Sequence, residues 1–225
     1  MHHRLSMKKL PLYITFLLLT AAANAQVRFS LCNDLGLQRS FKKGQQYWAG
    51  GHTLSGDFHF TSTDAAYFWI SYYTEGRFKN NLVATAKSPS TTPQEVNYVN
   101  NALMRFKQFS LGWKKFLKGS FDADKSWNMY GFAGFGIILG KVTNTHSVSI
   151  DSNVYALPVR SGKANFKRLT IDVGLGAEWP MGSDFFVYSE VRAWLPTTSY
   201  PSKYVFVNRD APIVGMLNFG LRILF

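Results

Sequence analysis

Apolar and polar side chains alternate with a period of two along most of the chain after Gln26. In the stretch 169–179, every second residue is apolar, and the residues between them are glycine, threonine or acidic. This period is typical of β-strands, and no segment shows a convincing helical period, so we predict an all-β protein. Eight strands are predicted, at about 27–41, 47–61, 65–79, 103–118, 127–142, 166–180, 185–196 and from 211 onwards.

The predicted connections differ in length between the two ends of the strands. Those after the second, fourth and sixth strands are short, 197–210 is intermediate, and 80–102 and 143–165 are long and polar. Only the link between the first two strands is short where this rule favours a long one. An even number of strands with short turns on one side and long loops on the other is typical of outer-membrane barrels. We therefore predict an eight-stranded antiparallel up-and-down transmembrane β-barrel.

The beginning of the chain has the layout of a secretory signal peptide. Two lysines precede an apolar run over 10–19, and Ala23, Asn24 and Ala25 form a small-residue cleavage site. The apolar run is shorter than the roughly 20 residues that a membrane-spanning helix needs. We predict that 1–25 is a signal peptide, with an N-terminal extension over 1–6, and that 26–225 forms the barrel.

The charge and composition narrow the possible partners. The chain carries a net charge of +12, and removal of 1–25 takes away three cations and no acid, which leaves +9. No zinc-finger spacing or RNA-binding motif accompanies this charge, so we expect no nucleic-acid partner. The single cysteine, Cys32, excludes an internal disulfide.

The predicted polar face carries charges in the middle of strands, which favours a lumen over the apolar core of a soluble barrel. The charged or titratable side chains predicted to point inward are Arg28, Asp34, Asp57, His59, Glu75, Lys114, Asp172, Glu178, Glu190, Arg192 and Arg222. Three tryptophans fall on the apolar face near the short turns, as an interfacial aromatic girdle requires: Trp113, Trp127 and Trp179.

The inward charges could line a pore or fill the lumen as ion pairs. An eight-stranded barrel is only wide enough for its own side chains, and buried charges must be paired. We therefore favour a filled lumen, in which Glu190 and Arg192 pair with Arg222 and with Asp172 or Glu178 on neighbouring strands. A narrow porin is the alternative.

Four segments carry a family resemblance: "YGFAGFGIILG" over 130–140, "IDVGLGAEW" over 171–179, "FFVYSEVRAWL" over 185–195 and "NFGLRILF" over 218–225. With the signal peptide and the eight strands, they resemble the OmpA-like and Bacteroidetes-type outer-membrane β-barrel families of Gram-negative bacteria. The resemblance covers nearly all of 27–225 and implies a place in the cell outer membrane. It also implies a last strand that the barrel assembly machinery reads. The residues that match this assembly signal are Leu217, Phe219, Leu221, Ile223 and Phe225.

Some small barrels modify lipid A, which requires a catalytic site. A deacylase-like site needs a histidine beside a serine and an acid at the membrane rim. His146 stands next to Ser147 and three residues before Ser149 in a predicted long loop, and His59 stands near Asp57 on the predicted inner face. Neither matches a motif of such enzymes, and no phosphate loop, metal spacing or cofactor motif occurs. We predict no catalytic, cofactor-binding or metal site, and keep a lipid A-modifying enzyme as a second alternative.

The sequence therefore predicts a structural or surface-interaction protein of the outer membrane. We expect a monomer with both termini in the periplasm. The expected partners are outer-membrane lipid and lipopolysaccharide, whose phosphates would suit Lys163, Lys167 and Arg168 near the outer interface. A merely solvated loop is the competing interpretation of these three cations.

Overall fold

The computed structural model describes residues 28–197 and 212–225, and the predicted signal peptide and the connection over 198–210 lie outside this range. Within the described residues the chain forms nine strands: β1 (Arg28–Ser40), β2 (Trp48–His59), β3 (Asp64–Ala86), β4 (Glu95–Lys118), β5 (Asn128–His146), β6 (Tyr155–Ala156), β7 (Gly162–Gly182), β8 (Phe185–Pro196) and β9 (Val214–Leu224). In the described part of the chain, no helix is long and apolar enough to cross a membrane.

Eight of the nine strands form a closed antiparallel ring. Each barrel strand pairs with the next one along the chain, and β9 returns to pair with β1. The remaining strand, β6, has two residues, which pair with the end of β3 outside the ring. The predicted eight-stranded up-and-down barrel is confirmed. The short β6 was not predicted, because two residues cannot display an alternating pattern.

The two ends of the barrel differ in their connections. At one end, the short-turn end, the chain turns over 60–63, 119–127 and 183–184, and the described chain also begins and ends there. At the other, the long-loop end, it connects over 41–47, 87–94 and 147–161. The prediction of a loop over 80–102 was wrong, since β3 and β4 stay paired as far as Thr85 and Glu95. Asparagine, threonine and alanine dominate this hairpin, so the contrast between apolar and polar positions is too weak to reveal the strands.

A β-bulge corrects the predicted inward position of Glu75. The pairing of β3 with β4 shifts between Tyr73 and Gly76, and Glu75 has a φ of 62°. The extra residue of a bulge changes the face on which the following side chains lie. Glu75 is therefore exposed and pairs with Arg77 outside the barrel, whereas Phe78 points into the lumen.

Glycines allow one tyrosine to lie flat across the lumen wall. Gly112 of β4 and Gly134 of β5 are paired, and the hydroxyl of Tyr67 lies over both. A Cβ atom on Gly134 would be 2.3 Å from the Leu111 carbonyl oxygen and 2.3 Å from the Tyr67 hydroxyl oxygen. The wall has no room for a side chain at this position.

We expect Gly134→Val to lower the free energy of unfolding by about 1–3 kcal/mol, the usual cost of overpacking. The matched control is Gly50→Val, because a Cβ atom on Gly50 meets nothing within 4 Å. Urea unfolding of both variants in lipid vesicles, followed by tryptophan fluorescence, measures the difference. Equal stability of the two variants would contradict the close packing at Gly134.

Candidate functional site

A buried ion pair lies across the lumen near the short-turn end. Arg222 donates from Nε to Oε2 of Glu178 at 3.0 Å and from Nη2 to Oε1 at 2.7 Å. The same guanidinium donates to Ser30 Oγ and to the Phe121 carbonyl oxygen, and both charged side chains are fully buried. Arg222 lies on β9 and Glu178 on β7, so the pair reaches over β8, where Phe186 lies 3.8 Å beneath the guanidinium. The partners were predicted on neighbouring strands, and in this pair one strand intervenes.

A second buried cluster surrounds Arg192 on β8. Its guanidinium donates to Glu190 at 2.6 Å and to Asp34 at 2.7 Å. Asp34 lies on β1, 158 residues away in the sequence. Tyr188 also donates to Asp34, at 2.9 Å, and Tyr130 donates to Glu190 at 2.7 Å. The predicted pairings of Arg192 with Asp172 or Glu178, and of Glu190 with Arg222, are wrong, because nearer donors and acceptors satisfy these groups.

Asp172 belongs to a neutral hydrogen-bond cluster. It accepts from Gln108 at 2.8 Å, from Thr170 at 2.8 Å and from Ser110. No lysine or arginine within the described ranges forms an ion pair with it. Its predicted membership of the ion-pair network is therefore wrong. The register of β5 between β4 and β7 brings hydroxyl and amide donors to this carboxylate, and the alternation along one strand does not reveal that register.

Two further predicted charges differ in where they lie. Lys114 is buried, donates to Asp57 at 2.8 Å and lies 3.9 Å from the centre of the Tyr130 ring. Arg28, in contrast, is exposed at the rim and contacts Asp122 of the 119–127 turn at 3.8 Å. Its position at the very start of β1 places it beyond the lumen, so its predicted inward orientation is wrong.

The half of the lumen nearest the long loops contains an apolar cluster, which was not predicted from the sequence. Its buried side chains include Phe78, Met104, Phe106, Ile138, Val142, Phe166, Trp194, Val214 and Met216. Aromatic rings contact one another across it, as Phe106 and Phe166 do at 5.9 Å between centroids. The sequence-based prediction assigned apolar residues to the outer face and polar residues to the lumen, so it did not identify inward apolar residues. The signal that could have revealed them is two adjacent apolar residues, as at Ile138 and Leu139, which break strict alternation.

The outer face of the barrel is an apolar band. Leu111 and Phe135 are about two-thirds exposed on neighbouring strands. On β4 the outward charged residues Lys115 and Lys107 bound the band and are eight residues apart. Eight residues of strand span about 27 Å, or about 21 Å at the roughly 40° tilt of a barrel strand. This height is close to that of the apolar band of a transmembrane barrel, about 25 Å, and the long lysine side chains can extend from it to the interface.

The three predicted girdle tryptophans are exposed near the short-turn end. Trp113, Trp127 and Trp179 retain 48%, 40% and 46% of their accessible surface. Trp113 stacks on Phe60 and donates its indole N–H to Asp64 at 3.0 Å. That hydrogen bond, with another from Thr63, holds the pKa of Asp64 at about 2, at the start of β3 beside the 60–63 turn. Indoles with one polar anchor and one apolar face suit a membrane interface.

The histidines do not assemble a hydrolytic triad with the predicted serines. His146 packs against Tyr98 with 4.6 Å between ring centroids, and burial lowers its pKa. Ser147 accepts instead from the backbone N–H of Val99 at 2.9 Å. His59 does contact a hydroxyl, Ser30 Oγ at 2.7 Å, but both residues are buried in the lumen.

The surroundings of His59 and the distribution of possible metal ligands bear on catalysis. The Nδ1 atom of His59 has no hydrogen-bond partner within 28–197 and 212–225, so the acid of a triad does not stand behind it. Over the same described ranges, no cluster of histidine, cysteine and acidic residues could hold a metal ion.

No protein-family model matches the sequence, and no curated protein matches it either. Solved structures do match. Ail, the attachment invasion locus protein of Yersinia pestis, in complex with the heparin analogue sucrose octasulfate, is 12% identical with a TM-score of 0.50, over 88% of this chain and 99% of Ail. A major outer membrane protein from Thermus thermophilus is 8% identical with a TM-score of 0.55, over 88% and 99% of the two chains. The chain therefore has the fold of the small outer-membrane β-barrel proteins.

Proposed function

We propose that this protein is an integral β-barrel of the Gram-negative outer membrane that conducts no solute and has a structural or surface-interaction role. The proposal is carried by the way the closed ring separates its two faces: an apolar band of near-membrane height lies outside, and side chains occupy both halves of the interior. Closure satisfies every ladder hydrogen bond, which a sheet in lipid requires.

The orientation and biogenesis follow from the same features. The short-turn end, with the girdle tryptophans, faces the periplasm, and the long loops face outward, as in other outer-membrane barrels. On β9 the residues Leu217, Phe219 and Leu221 point outward, and Ile223 continues their face. With Phe225, they form the strand that the barrel assembly machinery reads. The ring closes within one chain and needs no second copy to pair its strand edges, which supports a monomer.

Lipopolysaccharide and outer-membrane lipid are the proposed partners. The Ail structure contains a sulfated heparin analogue, so a barrel of this fold presents a surface to a polyanion. On this chain, Lys163 and Lys167 are exposed in the long-loop half of β7. Phosphate groups at the membrane surface are the anions within their reach.

Planar-bilayer recording tests the absence of a pore. We expect the purified, refolded protein to produce no discrete conductance steps, because an apolar cluster occupies the half of the lumen nearest the long loops and the Arg222–Glu178 pair lies across the other half. A general porin inserted under the same conditions is the positive control. Reproducible steps that scale with protein concentration would overturn the proposal in favour of a narrow porin.

A further inference from the structure

Outward side chains of four neighbouring strands form horizontal rows across the barrel surface. One row, made of Ile70, Phe109, Ile137 and Leu169, is apolar on every strand. The next row towards the long loops is mixed, and comprises Tyr72, Lys107, Leu139 and Lys167. The row beyond it is polar, with Arg105, Lys141 and Asn165. The apolar band therefore ends on these strands within two residues.

A cleft of about 580 Å³ lies at this boundary. It is lined by the mixed and polar rows, and the cations around it are Arg105, Lys107, Lys141 and Lys167. Within the described residues, none of the four forms an ion pair with an acid. The Nε atom of Arg105 is buried and has no hydrogen-bond partner among the residues that the structure describes. Glu75 stands on β3 three residues after Tyr72 of the cleft, but its carboxylate already accepts a hydrogen bond from Arg77.

Four cations in a single cleft repel one another, and an anion that contacts several of them offsets this electrostatic repulsion. Three lysines and an arginine provide donors for the oxygens of a phosphate group. Tyr72 and Leu139 supply apolar contacts at the base of the same cleft. The cleft therefore suits an anion that is attached to an apolar group better than it suits a free ion.

A second cleft continues the first one into the apolar band. It has a volume of about 460 Å³ and is lined by Phe109, Ile137 and Leu169, among other side chains of the rows below. Phe109 and Ile137 lie one row away from Lys107 and Leu139 of the first cleft, on the same strands. An acyl chain running along β4 and β5 would occupy this second cleft while its head group remained among the cations.

We propose that the two clefts bind one phosphorylated, acylated lipid of the surrounding outer leaflet. The phosphate contacts Arg105, Lys107, Lys141 and Lys167, and an acyl chain lies against Phe109 and Ile137. This inference rests on the proposed membrane location, and it names the lipid site and its residues. The site lies on the barrel wall, apart from the long loops, and so differs from a receptor for soluble polyanions.

Native mass spectrometry of the detergent-purified protein tests the site. The protein is titrated with bisphosphorylated lipid A, with the same lipid after removal of both phosphates, and with inorganic phosphate. We expect the bisphosphorylated lipid to bind at least tenfold more tightly than the dephosphorylated one, and inorganic phosphate to compete weakly. The variant Lys141→Gln/Lys167→Gln is expected to lose at least tenfold in affinity for the phosphorylated lipid.

The control variant is Lys43→Gln/Lys125→Gln, which removes the same charge from two turns at the ends of the barrel. Equal losses in both variants would overturn the site, because the effect would then be a general one of net charge. Equal binding of the dephosphorylated lipid would overturn the role of the cations, and tight binding of inorganic phosphate would overturn the lipid in favour of a free-anion site. Single Lys141→Gln serves if the double variant does not fold.

The inference and the proposed function fail in different ways. Heat-dependent mobility on gels and insertion into vesicles report whether the barrel enters a membrane, independently of lipid selectivity. A barrel that inserts normally and shows no preference for the phosphorylated lipid overturns only the lipid site. A protein that does not insert overturns the proposed function as well.

Discussion

Replacement of Arg222 by methionine is expected to lower the free energy of unfolding by about 3–5 kcal/mol, the range measured when one partner of a buried ion pair is removed. The substitution leaves Glu178 fully buried, and Asn128 is then its remaining donor, at 2.9 Å. It also removes the donors to Ser30 and to the Phe121 carbonyl oxygen, which tie the 119–127 turn to the lumen. Urea unfolding in vesicles, with melting followed by circular dichroism, measures the loss.

Two controls separate pairing from other effects of Arg222→Met. The double variant Arg222→Met/Glu178→Met removes both charges, and we expect it to regain most of the lost stability, since an apolar pair of similar volume is tolerated in place of a buried ion pair. Arg77→Met removes an arginine from the exposed pair with Glu75 and should cost less than about 1 kcal/mol. An unchanged melting temperature for Arg222→Met would refute the structural role of the pair.

Leu111→Arg is expected to cost about 2–4 kcal/mol when the barrel is folded into a bilayer, the penalty for a cation at the middle of the lipid face. Leu111 is 67% exposed and stands four residues from Lys115 and four from Lys107, at the centre of the apolar band on this strand. In water an exposed leucine is replaced by arginine at little cost, so a large penalty reports directly on the surrounding lipid. Equilibrium unfolding from unilamellar vesicles measures it.

The matched control is Leu117→Arg, the same substitution on the outer face of the same strand. Leu117 is 58% exposed and lies beyond Lys115, towards the short turns. Cations near the interface cost about 0–1 kcal/mol, so this variant should stay close to the wild type. If the two substitutions have equal effects, the apolar band is not in contact with a hydrocarbon core.

The architecture was predictable because its cause is local. A pleated strand sends successive side chains to opposite faces, so a wall between lipid and a packed lumen produces a period of two in every strand. The faces of β7 and β9 follow directly from their sequence, down to the outward Trp179 and Leu217. Over 80–102 both faces carry small or polar residues, so apolar and polar positions do not alternate clearly. The strands of that hairpin were therefore not predicted.

The sequence by itself determined the number of barrel strands, the face of most inward charges in the middle of a strand and the presence of an apolar outer surface. Only the tertiary structure decided which charges meet. Arg192 and Asp34 are 158 residues apart, and Arg222 and Ser30 are 192 apart. Such contacts depend on the register between strands and on the closure of β9 against β1, which no single strand encodes. The apolar cluster in the lumen and the cation cleft on the outer wall likewise depend on tertiary structure, because both combine side chains from several strands whose alignment is set by the register between neighbours.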